Sequence, residues 1–338
     1  MLRLSCLLLS SILAVAGAHA APALPPAEVT AVLARWDQTE HPDLRAVVVM
    51  QQGRVVGERY YNGATRDELH DVRSAGKSVT ALLVGIARDQ GRLKIDQPVQ
   101  RYWKQATGSA IGPVALRDVL SMRSGLAADD EHPDSPGNED RMDEADDPKS
   151  FVLKVPRAAP PGTVYRYNSL TSYVAGVVVT EAVGKPMDVF ARQYLFAPLG
   201  IERWQWARDA SGITKGQGNL SLRARDFAIL GEMVRNDGVY QGKRIVSAAW
   251  LRDALTPHVA IADSDPYAEG YGYYWYAKTH DIKGTPVPVR FASGNGGNKI
   301  YVVPSRQMVV AITSSAYGKG YGQRRSEAIL KAVLAATP

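Results

Sequence analysis

Cysteine is almost absent from this sequence, since Cys6 is the only one among 338 residues. It lies in an N-terminal segment that we expect to be removed, so the mature chain would contain no thiol. This excludes a disulfide framework, a cysteine nucleophile and a metal held by thiolates. An exported chain without disulfides is typical of a bacterial envelope protein whose core is large enough to be stable alone.

The N-terminal segment also lacks a hydrophobic run long enough to span a membrane. Residues 1–20 contain one arginine, an apolar run from Leu4 to Gly17 and a small-residue site at 18–20. This pattern predicts a secretory signal peptide, with a membrane anchor as the alternative. We therefore expect a secreted protein, located in the periplasm, with no stable membrane anchor.

Runs of positive charge are missing as well. Lysine and arginine number 40 against 34 acidic residues, but no run of five basic residues occurs. The sequence therefore predicts no nucleic-acid partner. The histidines are not paired at a metal-binding spacing and H-E-x-x-H is absent, so we expect neither a metal nor another cofactor.

Strand patterns stand at both ends of the chain, with helical patterns between them. The composition, 45% hydrophobic and 22% charged, is that of a soluble globular protein. Predicted strands, the first of them a hairpin, cover 45–61, 287–292, 299–304 and 307–314. Predicted helices cover 71–93, 116–126, 171–184, 222–238 and 323–336.

This order of elements predicts an α/β (α+β) fold, in which helices flank an antiparallel sheet and an all-helical domain is inserted. After the signal peptide, residues 21–338 would form one unit. Its α/β part would cover about 28–94 and 205–338, and its helical part about 95–204.

The helix predicted at 71–93 begins with residues that are unusual in a buried helix. Gly76 costs about 1 kcal/mol relative to alanine, and such local conflicts mark functional sites. Ser74 and Lys77, three residues apart, would share one face. Burial and the helix dipole would lower the pKa of Lys77, so that it could take the proton of a Ser74 nucleophile. Gly76 would keep the approach to Ser74 open. The alternative is an N-cap serine followed by a lysine that reaches the surface.

Two further elements fit acyl-transfer chemistry. Tyr167 precedes a predicted helix and could pass a proton from a lysine to a leaving group, with simple packing as the alternative. Gly294 and Gly296 interrupt a strand, which lets the backbone come close to a ligand. The amides of Asn295 and Ser74 could then hold an oxyanion together, although a plain hairpin turn gives the same pattern.

Six segments resemble the recurrent blocks of one family, in that family's order. They are SAGKSVTALLVGIA, LRDVLSMRSGL, PPGTVYRYNS with the following YVAGVVVTEAVGKPM, GNLSLRARDFAILGEMVRNDGVYQGKRIVSAAW, GYGYYW and GNGGNKIYVVPS. Over roughly residues 28–336 the chain resembles serine β-lactamase-like and penicillin-binding-protein-like hydrolases. Within them it is similar to class C β-lactamases, family VIII carboxylesterases and nylon-oligomer hydrolases. The resemblance implies a sheet flanked by helices, an all-helical domain and a site at their junction.

Carried over by resemblance, Ser74 is the acylated serine and Lys77 the lysine of S-x-x-K. Tyr167 matches the tyrosine of the Y-x-N element. Ser169 stands in place of its asparagine, a variant similar to the nylon-oligomer hydrolases. The segment Gly-Gln-Gly-Asn at 216–219 resembles another loop at the cleft edge, to which we assign no chemistry.

The resemblance also covers the third element. Gly294 matches the glycine of K-T-G, and Asn295 matches the residue whose amide completes the oxyanion hole. Ala292 stands about where the family has a lysine that holds the carboxylate of a β-lactam. This departure favours an esterase, amidase or peptidase over a β-lactamase, unless Arg290 or Lys299 supplies the cation.

Together these residues predict a secreted serine hydrolase that cleaves an ester or amide through an acyl-enzyme on Ser74. Lys77 and Tyr167 would be its general base and acid, and the substrate would be a small or peptide-like molecule. A β-lactamase or a penicillin-binding D,D-peptidase is the alternative. A non-catalytic binding relative is the alternative of another class. The oligomeric state is not predicted.

An acidic segment, residues 129–147, holds ten carboxylates and one arginine and is predicted to be a surface loop. In the resembling family the corresponding region borders the cleft. A negative potential there would favour substrates with a free amino group. The alternative is a solvated loop with no role in substrate selection.

Overall fold

The computed structural model describes residues 26–38 and 40–336. The predicted signal peptide, residues 1–20, lies outside the described residues. Within the described part of the chain, no helix has both the length and the apolar character needed to cross a membrane.

An eight-stranded antiparallel sheet forms the centre of the molecule, in the order β2-β1-β13-β12-β11-β10-β9-β8. A three-stranded sheet in the order β3-β5-β4 and a two-strand ribbon of β6 and β7 complete the described strands. The strands are β1 Leu44–Gln51, β2 Arg54–Tyr60, β3 His70–Asp71, β4 Trp204–Trp206, β5 Leu220–Leu222, β6 Val239–Tyr240, β7 Lys243–Arg244, β8 Val259–Ala260, β9 Gly270–Tyr271, β10 Tyr276–Ile282, β11 Thr285–Gly294, β12 Asn298–Val303 and β13 Met308–Ser314.

Helices flank the large sheet and fill the middle of the chain. They are α1 Pro26–Ala34, α2 Gly76–Asp89, α3 Leu116–Leu120, α4 Glu139–Asp143, α5 Pro148–Lys154, α6 Ser169–Val183, α7 Met187–Ala191, α8 Ala224–Arg235, α9 Ala248–Leu255 and α10 Tyr321–Ala336. Between α2 and β4 the regular elements are helical. The division into parts at 95 and 204 stays a prediction.

Two central strands of the sheet are buried on both faces. Every residue of β12 and β13 is buried. Because neighbouring residues of a strand point to opposite faces, such strands need cover on both sides. Helices α8 and α10 both pack against them and provide it. The predicted antiparallel sheet flanked by helices is confirmed.

The first hairpin shows how local sequence sets the register. Strands β1 and β2 pair through Gln51 and Arg54, which leaves a two-residue turn between them. Gln52 and Gly53 in that turn have φ angles of 51° and 79°. Two positive φ angles make a turn whose twist matches that of the strands, so the hairpin predicted at 45–61 forms.

Two local predictions differ from the structure, and one long strand has no predicted counterpart. The helix predicted at 116–126 ends at Leu120, because Met122 has a φ of 57° that a right-handed helix cannot contain. The acidic segment contains the short helix α4, whose first amides are capped by Asn138. The pattern does not predict β10, because its run of polar residues from Lys278 to Asp281 hides the strand.

Helix α2 joins the sheet to the helical middle of the chain. It is buried without interruption from Gly76 to Ala87 and packs against α6, α9 and β11. Its N-terminal end therefore lies where the C-terminal end of β11 and α6 meet, and the candidate site is built at that end.

Candidate active site

The chain enters α2 through a short, strained turn. Residues Arg73–Ala75 form a 3₁₀ turn, and α2 begins at Gly76, two residues after Ser74. Arg73 has a φ of 52°, in the left-handed region that non-glycine residues rarely adopt. Strain of this kind is concentrated at functional sites. It places Ser74, half-buried, ahead of the helix and Lys77 in the first helical turn.

The Lys77 ammonium is fully coordinated. Its Nζ lies 2.9 Å from Ser74 Oγ, 2.9 Å from Ser169 Oγ and 2.8 Å from the carbonyl oxygen of Gln217. These three acceptors match the three N–H donors of a charged lysine. The structure thus brings together Ser74, Lys77 and Ser169, and the hydroxyl of Ser169 accepts a hydrogen bond from Lys77.

The pKa of Lys77 shifts in the direction opposite to the one predicted from the sequence. Burial alone lowers its pKa, but the nearby Tyr167, Glu139 and Asp130 oppose this, and the net pKa is raised. The predicted fall in the pKa of Lys77 is therefore wrong, because Tyr167 and the carboxylates of Glu139 and Asp130 together outweigh desolvation.

Tyr167 lies next to Lys77 in the same part of the molecule. Its ring centroid lies 5.1 Å from Lys77 Nζ, and its side chain lines the same cleft as Ser74. The following residue, Asn168, caps α6 by accepting from the Thr171 amide at 2.8 Å. The cap stabilises the first turn of α6 and the backbone that carries Tyr167.

A tight glycine contact delivers the Gln217 carbonyl to Lys77. A Cβ on Gly76 would lie 3.1 Å from the Cα of Gly218, and one on Gly176 would lie 3.0 Å from the Cα of Gly216. Two glycines thus let the loop pass between α2 and α6, with the Gln217 carbonyl between them. The sequence predicts that Gly76 keeps the approach to Ser74 open. In the structure, the absence of a side chain at Gly76 instead makes room for this loop.

The end of β11 packs against the turn that carries Ser74. A Cβ on Gly294 would overlap the carbonyl oxygen of Val72, so only glycine permits this contact. Asn295 follows directly, and it lines the cleft together with Gly294 and Ser74. Gly296 has a φ of 85° and packs on the backbone after β13, away from the cleft lining. The oxyanion roles stay predictions.

The cleft above Ser74 has a volume of about 830 Å³, and five carboxylates in its lining outnumber the basic side chains of Arg166 and Lys299. Its lining includes four tyrosines, which are Tyr165, Tyr167, Tyr267 and Tyr276. Its carboxylates are Asp129, Asp130, Glu131, Glu139 and Asp265. The first part of the acidic segment therefore borders the cleft.

In the second part of the acidic segment, residues 140–147, two carboxylates form hydrogen bonds within the fold and do not line the cleft. Asp143 accepts from Lys215 Nζ at 2.6 Å and from Gln217 Nε2 at 3.4 Å. Asp147 caps α5 by accepting from the Ser150 amide at 3.1 Å. Negative charge at the cleft thus comes from residues 129–139 and Asp265, not from the whole segment.

A second lysine lies in the cleft wall. Lys299 on β12 is opposite Ser293 on β11, and its Nζ lies 2.8 Å from Ser293 Oγ. Burial lowers the pKa of Lys299 to about 7. Ala292 is completely buried, and Arg290 donates to the Leu255 carbonyl outside the cleft lining. Of the two cations considered from the sequence, only Lys299 lines the cleft.

Sequence reasoning did not assign two groups of this site. The sequence marks Gln217 as unusual, because a glycine stands on each side of it. Its partner Lys77 is 140 positions away, however, so the contact cannot be read from the sequence. Asp130, whose carboxylate accepts from the Ser169 amide at 2.7 Å, is one acid among ten in its segment. Nothing in the local pattern distinguishes it from its neighbours.

Comparison with known proteins gives consistent matches. A family model described as Beta-lactamase matches residues 36–334. A 6-aminohexanoate-dimer hydrolase of Paenarthrobacter ureafaciens is 27% identical over 320 residues, which cover 88% of this chain and 80% of that protein. A penicillin-binding protein homologue from Caulobacter crescentus has a TM-score of 0.74 at 18% identity, covering 94% of this chain and 99% of that chain. EstCE1, a hydrolase with promiscuous acyltransferase activity, has a TM-score of 0.70 at 16% identity, covering 90% and 97%.

Proposed function

This chain belongs to the beta-lactamase family and is a serine hydrolase, and from that premise we propose that it cleaves an ester or amide through an acyl-enzyme on Ser74. One observation carries the proposal. Lys77 Nζ lies 2.9 Å from Ser74 Oγ at the floor of the cleft. A serine becomes a nucleophile only when a neighbouring group can take its proton, and this pair supplies the contact.

In acylation, Ser74 Oγ attacks the substrate carbonyl carbon and loses its proton. Lys77 and Tyr167 act as one titrating pair. The reactive form of the pair is the one that has lost one proton, and this form takes the proton of Ser74. Tyr167 then gives that proton to the leaving oxygen or nitrogen as the carbon–heteroatom bond breaks. Water releases the acyl group by the reverse proton path.

The negatively charged oxygen of the tetrahedral intermediate needs hydrogen-bond donors, typically two backbone N–H groups. We assign these to the backbone amides of Ser74 and Asn295. The contact between Gly294 and Val72 supports this assignment, because it holds the strand end against the serine turn. Each donor of this kind contributes about 3 kcal/mol to transition-state stabilisation.

The substrate we propose carries a free amino group near the scissile bond. Five carboxylates line the cleft against the basic side chains of Arg166 and Lys299, and an excess of negative charge concentrates cations and repels anions. The name of the Paenarthrobacter relative, a 6-aminohexanoate-dimer hydrolase, agrees with an amide of an amino acid as substrate. Residues 1–20 support export, and we propose the periplasm as the place of action.

A β-lactamase or D,D-peptidase is the second candidate, and one observation favours it. Lys299 and Ser293 place an amine and a hydroxyl in the cleft wall, and Lys299 is one of the two cations that the sequence offered in place of the missing lysine. Parallel assays with short-chain esters, amino-acid amides and nitrocefin distinguish the candidates. Turnover of nitrocefin well above that of the esters and amides would favour the second.

An alkyl fluorophosphonate probe tests the enzyme itself. It should label the wild-type protein once, on Ser74, and leave Ser74→Ala unlabelled. Ser78 on the same helix is buried and bonded to the Tyr274 carbonyl, so Ser78→Ala is the matched control and should be labelled. Absence of labelling in the wild type would favour a non-catalytic binding protein.

A further inference from the structure

Asp130 is tied to the residue that holds the active-site lysine. Its Oδ2 accepts from the Ser169 amide at 2.7 Å, and the hydroxyl of the same serine lies 2.9 Å from Lys77 Nζ. Ser169 is the first residue of α6 and is completely buried. A carboxylate at a helix N-terminus is stabilised by the free amides and the dipole there. The chain of contacts therefore runs from Asp130 through Ser169 to Lys77.

The environment of Asp130 is unusual for a carboxylate that only caps a helix. Its Oδ1 is buried, and no hydrogen-bond donor for it is found among the described residues. Burial raises the pKa of Asp130 to about 6, while the charge of Lys77 opposes that rise. The charged groups that face it are Lys77 from α2 and Glu139 from α4. A buried carboxylate with a free oxygen is costly to keep, which indicates a role beyond fold stability.

We propose that Asp130 is a positioning residue: it fixes the start of α6 so that Ser169 holds the Lys77 ammonium against Ser74. The inference rests on the proposed function, because it gives Lys77 a part in acylation. When the carboxylate is removed, the Ser169 amide loses its acceptor and the first turn of α6 can shift. Ser169 Oγ then no longer fixes Lys77, and the nucleophile loses its proton partner.

The test measures the rate at which an uncharged alkyl fluorophosphonate labels Ser74. This probe reports the reactivity of the serine without the charge preference of the cleft. Asp130→Ala should slow labelling by roughly tenfold or more, because a hydrogen bond to a charged group is lost. Asp130→Asn keeps an oxygen for the Ser169 amide and should slow it less. Asp140→Asn removes the same charge from an exposed side chain of the same segment and should label at the wild-type rate.

The pH profile separates a positioning role from a purely structural one. In the wild type, labelling should fall as the pH drops through about 6, where Asp130 takes up a proton. Asp130→Asn cannot titrate there, so its profile should lose that inflection while its thermal midpoint stays near the wild-type value. Equal rates and equal profiles for Asp130→Asn and Asp140→Asn would overturn the inference. Failure of the wild type to label at all would instead overturn the proposed function.

Discussion

Replacing Gly76 by alanine should reduce activity much more than stability. The new Cβ would lie 3.1 Å from the Cα of Gly218, and restoring an ordinary contact distance needs a shift of roughly 0.5 Å. The loop would carry the Gln217 carbonyl away from Lys77, now 2.8 Å apart, and past the usual limit of about 3.2 Å. A hydrogen bond from a charged donor is worth about 1.5–3 kcal/mol. If that loss falls on the transition state, the rate drops roughly 10- to 100-fold.

The stability of Gly76→Ala should change little, because two effects oppose each other. Alanine in a helix gains about 1 kcal/mol over glycine, while overpacking costs about 1–3 kcal/mol. The assay combines a thermal midpoint with kcat on an ester. Gly85→Ala, on the same helix, is the matched control. Its Cβ would overlap the Trp250 ring, so it should lose stability and keep its kcat per folded molecule.

Two results would refute this reasoning about Gly76. Wild-type kcat in Gly76→Ala would show that the carbonyl of Gln217 does not matter for Lys77. A large loss of stability with unchanged kcat would show that the glycine serves packing alone.

Three further predictions concern single groups of the site. Ser74→Ala and Lys77→Ala should each reduce acylation to background in a turnover assay, since members of one unit fail together; substantial turnover by the lysine variant would place the base elsewhere. Lys299→Met should raise the free energy of unfolding most below about pH 7, and this gain should shrink towards pH 10.5. The reason is that the pKa of Lys299 is about 7 in the folded protein and 10.5 in the unfolded chain, so protonation favours the unfolded chain between these values. Urea titrations at about pH 6 and about pH 10 measure this, and a gain that does not depend on pH would contradict it. The ratio of kcat/KM for a cationic ester to that for a matched anionic ester should exceed one and should fall as salt is added. The ratio should also fall in the double variant Glu131→Gln and Glu139→Gln. A ratio near one that does not change with salt would show that the carboxylates of the cleft do not select substrates.

The sequence by itself determined the elements and the chemistry of the serine helix. Apolar strands such as β13 and the turn at Gln52 and Gly53 are local signals, because periodicity and backbone preference act over a few residues. Ser74 and Lys77 belong to the same class of signal, since three residues of helix bring them to one face. The family blocks added the order in which these elements assemble.

Only the tertiary structure decided the environment of those residues. The Gln217 carbonyl reaches Lys77 across 140 positions, and Asp130 reaches Ser169 across 39. The direction of the pKa shift of Lys77 follows from Tyr167, Glu139 and Asp130, which are all distant in sequence. The lysine in the cleft wall, Lys299, comes from the neighbouring strand β12. A pKa is the sum of burial and of every nearby charge. That sum depends on which distant segments pack together, and no local pattern in the chain contains it.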